Sequence, residues 1–300
     1  MTTNNKLNLD NIYKRIENLP LLPSVLNDLM LLDLNSNHCM ERLKDISRHD
    51  PSLAARILRI ANSAHASPIK PITDIQQAVV RTGSDDTLAF LTKLHVVKVF
   101  TPVTDDERYL WRHSIEAAYF AEYIAQANPK LNIDPKLAYT CGLLHDIGRF
   151  VLFDIASKAF DFISSKEWIN PKELSDTESH FLGFDHAEVG NLAAERWHLP
   201  KDITLAIKLH HNYSQLNPNE FPEHFVDLLH VIQLSDFISI FLGNKTNWQM
   251  LKQHRLLDEI KSNCISKINK CPTINTIDLI KNIPLIVDKV NDRMKQLHLA

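Results

Sequence analysis

Histidine and aspartate stand side by side at His145–Asp146, inside the stretch GLLHDIGRF (142–150). Further along come His186 in GFDHAEVG, the pair His210–His211, and Asp236, which interrupts the apolar run FVDLLHVIQLSDFISIFLG (225–243). Upstream lies His113 in LWRHS. Neutral imidazoles and carboxylates bind divalent transition metals, and a carboxylate can bridge two ions. Two ions a few ångströms apart hold a phosphate, generate hydroxide near neutral pH and steady the leaving oxygen. Neighbours on a helix diverge by about 100°, so His145 and Asp146 would serve adjacent ions or two sides of one. Seven candidate ligands follow: His113, His145, Asp146, His186, His210, His211 and Asp236. The cofactor expected is a divalent metal, in a site with room for two ions, of Fe, Mn, Zn, Ni or Mg type.

A second reading stays open. The same residues can form a buried hydrogen-bond network without metal, because buried polar groups must be satisfied. Arg149, one turn past the pair, is either a surface residue or a phosphate contact. Arginine grips phosphate bidentately but is a poor acid with a tunable pKa. Lone histidines such as His38, His65 and His254 carry no hypothesis.

Helices must position these residues. Only six of 300 residues are glycine, against an average of roughly 7%, and strand-like alternation is rare. The fold class expected is all-α. In HDPSLAARILRIANS, Asp50 suits an N-cap, Pro51 the first helical position, and Leu53, Ala54, Ile57, Leu58 and Ala61 form one apolar stripe. Arg56 and Arg59 fall off that stripe, on a face read as solvated. SPIKPITD (67–74) reads as a loop, followed by a short helix ending at Gly83. TPVTDDERY (101–109) reads as a boundary before a helix over 112–127 that carries His113 near its start. A helix is expected from Asp134 through residue 153, with Gly148 letting the backbone leave just after the ligand pair. SDTESHFLGF (175–184) reads as a polar stretch, and Asp185 and Glu188 have capping-box spacing. Lys201 to residue 212 is a further helix with His210 and His211 in its last turn. These boundaries suggest an N-terminal helical half over 10–103, a site-bearing half over 104–245 and a helical extension over 246–300.

The ordered blocks LPLLPSV, ISRHDPSLAARILRIANSAH, ITDIQQAVVRTG, LWRHS, CGLLHDIGRFVL, GFDHAEVG and ERWHLP resemble the HDOD family of bacterial signalling proteins over roughly residues 15–212. The H…HD…D pattern also resembles the wider superfamily of HD metal-dependent phosphohydrolases, including the HD-GYP phosphodiesterases of cyclic di-GMP. The resemblance implies an all-α fold, with an N-terminal helical half packed on an HD-like half. It further implies a regulatory output or adaptor module, with a signalling protein or nucleotide second messenger as partner. The alternative it carries is a phosphohydrolase or phosphodiesterase acting on a nucleotide or cyclic dinucleotide. Many HDOD members have lost metal ligands, whereas this chain keeps a candidate at every position. It departs from HD-GYP in having Arg149 for the usual lysine, no GYP tripeptide after His211, and Tyr109 where a glutamate for a third metal would stand.

Composition narrows the rest. Formal net charge is −3, so no overall basic field draws the chain to nucleic acid or anionic lipid. Cys39, Cys141, Cys264 and Cys271 are scattered, which fits free thiols in a reduced compartment. The polar N-terminus lacks the apolar core of a signal peptide. Asp227, His230, Gln233 and Asp236 make 225–243 a poor bilayer span and a better core helix. The expectation is a cytoplasmic protein without membrane insertion.

Overall fold

The computed structural model describes residues 8–17, 19–32, 36, 38–63, 70–83, 101–102, 104–164, 171–211, 220–245, 247–268, 271 and 273–300. No strand is found among them, and the fold is all-α. Five helices open the chain: α1 (Leu9–Ile16), α2 (Pro23–Met30), α3 (Cys39–Ser47), α4 (Pro51–Ala61) and α5 (75–83). The site-bearing region is built from α6 (Asp105–Ala127), α7 (Pro135–Leu144), α8 (Ile147–Ser164), α9 (Pro171–Leu182), α10 (His186–Arg196), α11 (Lys201–Leu209) and α12 (Glu223–Asn244). Then come α13 (Gln253–Asn263) and α14 (Thr276–Gln296). The most extensive packing is α6 on α7, followed by α12 on α6 and α10 on α8.

Local signals in the sequence place most of these starts. Asp50 caps α4 by accepting the Leu53 N–H at 2.7 Å, with Pro51 in the first turn. Asp185 and Glu188 close a reciprocal capping box on α10, and Asp134 caps α7 ahead of Pro135. A cap of this kind contributes about 1 kcal/mol.

Four expectations need correction. The boundary at 101–109 is shorter than its composition suggests, because Thr104 and Glu107 form a second capping box and start α6 at Asp105. His113 therefore sits in the third turn of a long helix. Residues 134–153 are two helices, broken at His145–Asp146. Most of the stretch 175–184 belongs to α9, whose polar residues partly face outward while Leu182 and Glu178 are buried. Arg56 is turned in, donating through Nη2 to the Leu19 carbonyl.

Gly148 also works differently from the expected helix exit. It lies in the first turn of α8, where a Cβ would come within 1.9 Å of the His186 carbonyl oxygen and 2.6 Å of the Gly190 nitrogen. Its missing side chain lets α8 cross α10 at backbone distance. Gly142 does the same for α7 on α6, where a Cβ would meet the Ala117 carbonyl oxygen at 2.7 Å. These two approaches bring His145–Asp146 against both His113 and His186.

One helix, α12, is long and apolar enough to cross a membrane by length and composition, yet 78% of its most apolar window is buried inside the fold. The core helix expected over 225–243 agrees with that. His65, residues 64–69 of the loop around 67–74, and the segment directly after His211 lie outside the described residues.

Candidate metal centre

All seven predicted ligands meet. They are between 0 and 9% exposed, and they come from α6, the α7–α8 junction, α10, the end of α11 and α12. Two groups of donors converge, Asp146 with His186, His210 and His211, and Asp146 with His113 and His145. Asp146 belongs to both. Its Oδ1 faces His186 Nε2 at 3.3 Å and His210 Nε2 at 3.5 Å, while its Oδ2 faces His113 Nε2 at 3.5 Å and Arg149 Nη1 at 3.3 Å. Asp236 stands just outside both groups, with Oδ1 3.3 Å from His113 Nε2 and 4.0 Å from His145 Nε2.

Helix ends aim the imidazoles. His145 and His210 each cap the C-terminus of their helix. Each ring lies beside the carbonyl three residues back, Nδ1 to Gly142 O at 2.8 Å and Nδ1 to Ile207 O at 2.6 Å. Such terminal carbonyls have no partner within the helix. Donation from Nδ1–H leaves the Nε2 lone pair pointing into the cluster. His186 opens α10, and Glu178 Oε2 receives both its backbone N–H at 2.9 Å and its Nδ1 at 2.5 Å. His113 Nδ1 is 2.9 Å from Ser239 Oγ, whose hydroxyl donates to Glu116 Oε2 at 2.7 Å. Arg112 in turn pairs with Glu116 at 2.8 Å. Outer partners of this sort fix ring orientation and raise ligand basicity.

Charge is sharply divided within the cluster. Burial alone would raise Asp146, but the imidazoles of His145, His186 and His210 together with Arg149 hold it well below the carboxylate range. Burial opposes a charge on His186, and the Glu178 and Asp146 carboxylates overcome it, pushing its pKa up to about 9. His113 is likewise raised against burial, by Asp236 and Asp146. Burial, helped by His210 and His113, pulls His145 down to about 4. Burial with His210 and His186 holds His211 far below its ordinary value.

The donor set fits a divalent transition metal. His113 and His145 bring Nε2 atoms to 3.3 Å, and His186 and His211 bring theirs to 2.7 Å. Each such pair can share only one proton in a hydrogen bond. Asp146 Oδ1, Asp236 Oδ2 and His211 Nδ1 are buried and make no hydrogen bond. An unsatisfied buried polar atom costs roughly 1–3 kcal/mol, so a protein-only network leaves this cluster incomplete.

Several participants escape sequence reasoning. Glu178 is fully buried, eight residues before His186 in an acidic stretch where nothing in the pattern separates it from Asp176. Ser239 and Glu116 each lie three residues past a predicted ligand, on the same helix face, and that spacing is the signal that would have found them. Tyr109 stacks on His113, with ring centroids 5.7 Å apart and planes 25° apart, and it packs against Gly243.

Comparison with known proteins agrees with this architecture. The HDOD domain matches residues 19–213. The chain belongs to the HDOD family. An uncharacterized protein of Treponema pallidum (strain Nichols) is 26% identical over 247 residues, covering 82% of this chain and 47% of the relative. Ribonuclease Y of Mycoplasmoides gallisepticum is 30% identical over 173 residues, covering 57% of this chain and 25% of the relative. The chain thus spans about half, or less, of the length of these curated relatives. Among solved structures, the MmoQ response regulator of Methylococcus capsulatus aligns with a TM-score of 0.60 at 22% identity, covering 74% of this chain and 86% of that one. At that identity the likeness concerns the fold. The HDOD fold here carries a buried His/Asp cluster able to hold a metal.

Proposed function

We propose that this HDOD chain is a signalling output or adaptor module organised around a divalent-metal centre. His113, His145 and Asp236 on one side and His186, His210 and His211 on the other would hold divalent metal, with Asp146 common to both groups. The observation that carries this reading is Trp111. It lies two residues before His113, its Nε1 donates to the buried Asp50 cap of α4 at 3.4 Å, and its ring meets Phe150 edge-on at 4.8 Å. Phe150 directly follows Arg149. The N-terminal helices thus reach the centre through one side chain on two sides, so a change in α4 packing and a change in metal occupancy would bias each other. Burial of the ligands supports a sealed, state-setting centre over rapid turnover. Its partners are a signalling protein or a nucleotide second messenger, and a cytoplasmic setting belongs to the same reading.

A second reading, a metal-dependent phosphodiesterase, is favoured by the complete ligand set and by the similarity to a ribonuclease. Bound ions would supply polarisation of a phosphate and hydroxide near neutral pH. Arg149, 12% exposed at its side chain and paired to Asp146, is the residue placed to meet a phosphate in that reading. Elemental analysis beside a His145→Ala, Asp146→Ala variant tests the centre, and a chain that stays metal-free after reconstitution defeats both readings. Turnover of cyclic di-GMP, nucleoside phosphates or a generic phosphodiester by the loaded protein would favour the enzyme. No turnover, with partner binding altered by Trp111→Leu, would favour the module.

A further inference from the structure

Away from the metal centre, α3, α5 and α7 border a groove of about 550 Å³. That is within the usual range for small-ligand sites, roughly 300–1,000 Å³. Each helix contributes one cation: Lys44 from α3, Arg81 from α5 and Lys136 from α7. A single acid, Asp74, lies among the lining residues, and it is already engaged. Its Oδ1 accepts the Gln76 N–H at 2.9 Å, and its Oδ2 holds Lys136 Nζ at 3.2 Å. Lys44 pairs with Glu41, whose side chain is 71% exposed. Such solvent-facing pairs are weak and yield to a multiply charged anion.

The remaining wall has a different character. Ile72 and Val80 give it an apolar surface, Val80 being 59% exposed, and Gln77 adds an amide. Three cations bordering one groove, beside an apolar strip and amide groups, suit a ligand with an anionic end and a flat, hydrogen-bonding end. Set against Glu41 and Asp74, the three cations leave one positive charge in excess at the groove, on a chain whose net charge is −3.

We propose that the groove is a binding site for a nucleoside phosphate, with the phosphates across Lys44, Arg81 and Lys136 and the nucleoside against Ile72 and Val80. Arginine and lysine both grip phosphate oxygens through charge-assisted hydrogen bonds. The site joins the N-terminal helices to α7, and His145 caps the far end of that same helix. A ligand here therefore bears on the element that presents the metal centre, while its binding needs no metal.

The test is titration of adenosine triphosphate, pyrophosphate and adenosine into the full chain in EDTA, followed by calorimetry and thermal shift. Triphosphate should bind saturably and more tightly than pyrophosphate, and adenosine should bind far more weakly than either. The Lys44→Ala, Arg81→Ala, Lys136→Ala variant should lose at least about tenfold in affinity with helical circular dichroism unchanged. A Lys44→Arg, Lys136→Arg variant should keep binding. Absence of saturable triphosphate binding, or unchanged affinity in the triple variant, would overturn the site. Equal affinity for pyrophosphate would remove the nucleoside from the proposal.

Discussion

Two polar networks, one half-buried and one sealed, lie in this fold, and they are built on different terms. At the junction of α3, α6 and α7, Arg48 donates to both Glu122 oxygens at 3.0 and 3.1 Å and lies 4.2 Å over the Tyr139 ring. Tyr139 donates to the Arg48 carbonyl at 2.6 Å, while His49 spans the Asp45 carbonyl at 2.6 Å and the Tyr119 hydroxyl at 3.1 Å. Arg293 of α14 joins the edge by gripping Asp45 with two nitrogens. None of those groups is left among the buried atoms without a hydrogen bond. The His/Asp cluster is more deeply buried and leaves Asp146 Oδ1, Asp236 Oδ2 and His211 Nδ1 unmatched. A network that closes on itself is structure. One that stays open calls for a further partner.

The largest effect that breaks this contrast should come from Gly148→Ala. Its Cβ cannot coexist with the His186 carbonyl, so α8 and α10 must separate, costing more than about 4 kcal/mol. A thermal melt of the variant that matched the parent would show that the helix crossing is not needed. Next is the metal itself. Adding Mn, Zn, Ni or Fe(II) at about a thousandfold over Kd should stabilise the chain by about 4 kcal/mol, and Asp146→Asn should abolish the gain. The junction should be indifferent to metal, so Arg48→Met should keep the full increment.

Arg48→Met should itself cost only about 1–2 kcal/mol, because both partners of the Glu122 pair are about a fifth exposed and screened by solvent. Chemical denaturation measures that loss directly. A cost above that of Gly148→Ala would reverse the ranking of the two networks.

The smallest effect concerns pH. Burial, with Arg293 adding to it, pulls His49 from 6.5 to about 3. The folded state therefore keeps it neutral while the unfolded state protonates it below pH 6.5. Stability from this group is complete above that value and falls as pH drops from 6.5 toward 3. One unit below 6.5 the loss is about 1 kcal/mol. The difference in unfolding free energy between the parent and His49→Gln should shrink across that window, and a flat difference would remove His49 from the acid response.

Much of the centre was legible because ligand types and helix signals are local. His186 stands beside the helix start that Asp185 marks, while His145–Asp146 and His210–His211 follow the ends of helices whose starts Pro135 and Pro200 mark. His113 joins the cluster as expected but was misplaced on its helix, since the Thr104–Glu107 cap hides within an acidic loop-like run. Glu178 was invisible, because its role depends on α9 folding back toward α10 and not on any spacing. Gly148 was noticed for the wrong reason, since the need for a bare Cα comes from a helix distant in sequence.

Composition and periodicity by themselves determined an all-α chain, residue types marked a set of candidate metal ligands, and the ordered blocks carried the resemblance to HDOD. They did so because helix caps, glycine scarcity and donor chemistry are properties of short segments. Only the tertiary structure decided that Asp146 faces both groups of histidines, that Trp111 joins the Asp50 cap of α4 to Phe150, and that three cations from three helices share a groove. Those are facts of juxtaposition, set by how closely α6, α7, α8 and α10 can approach, and no single segment contains them.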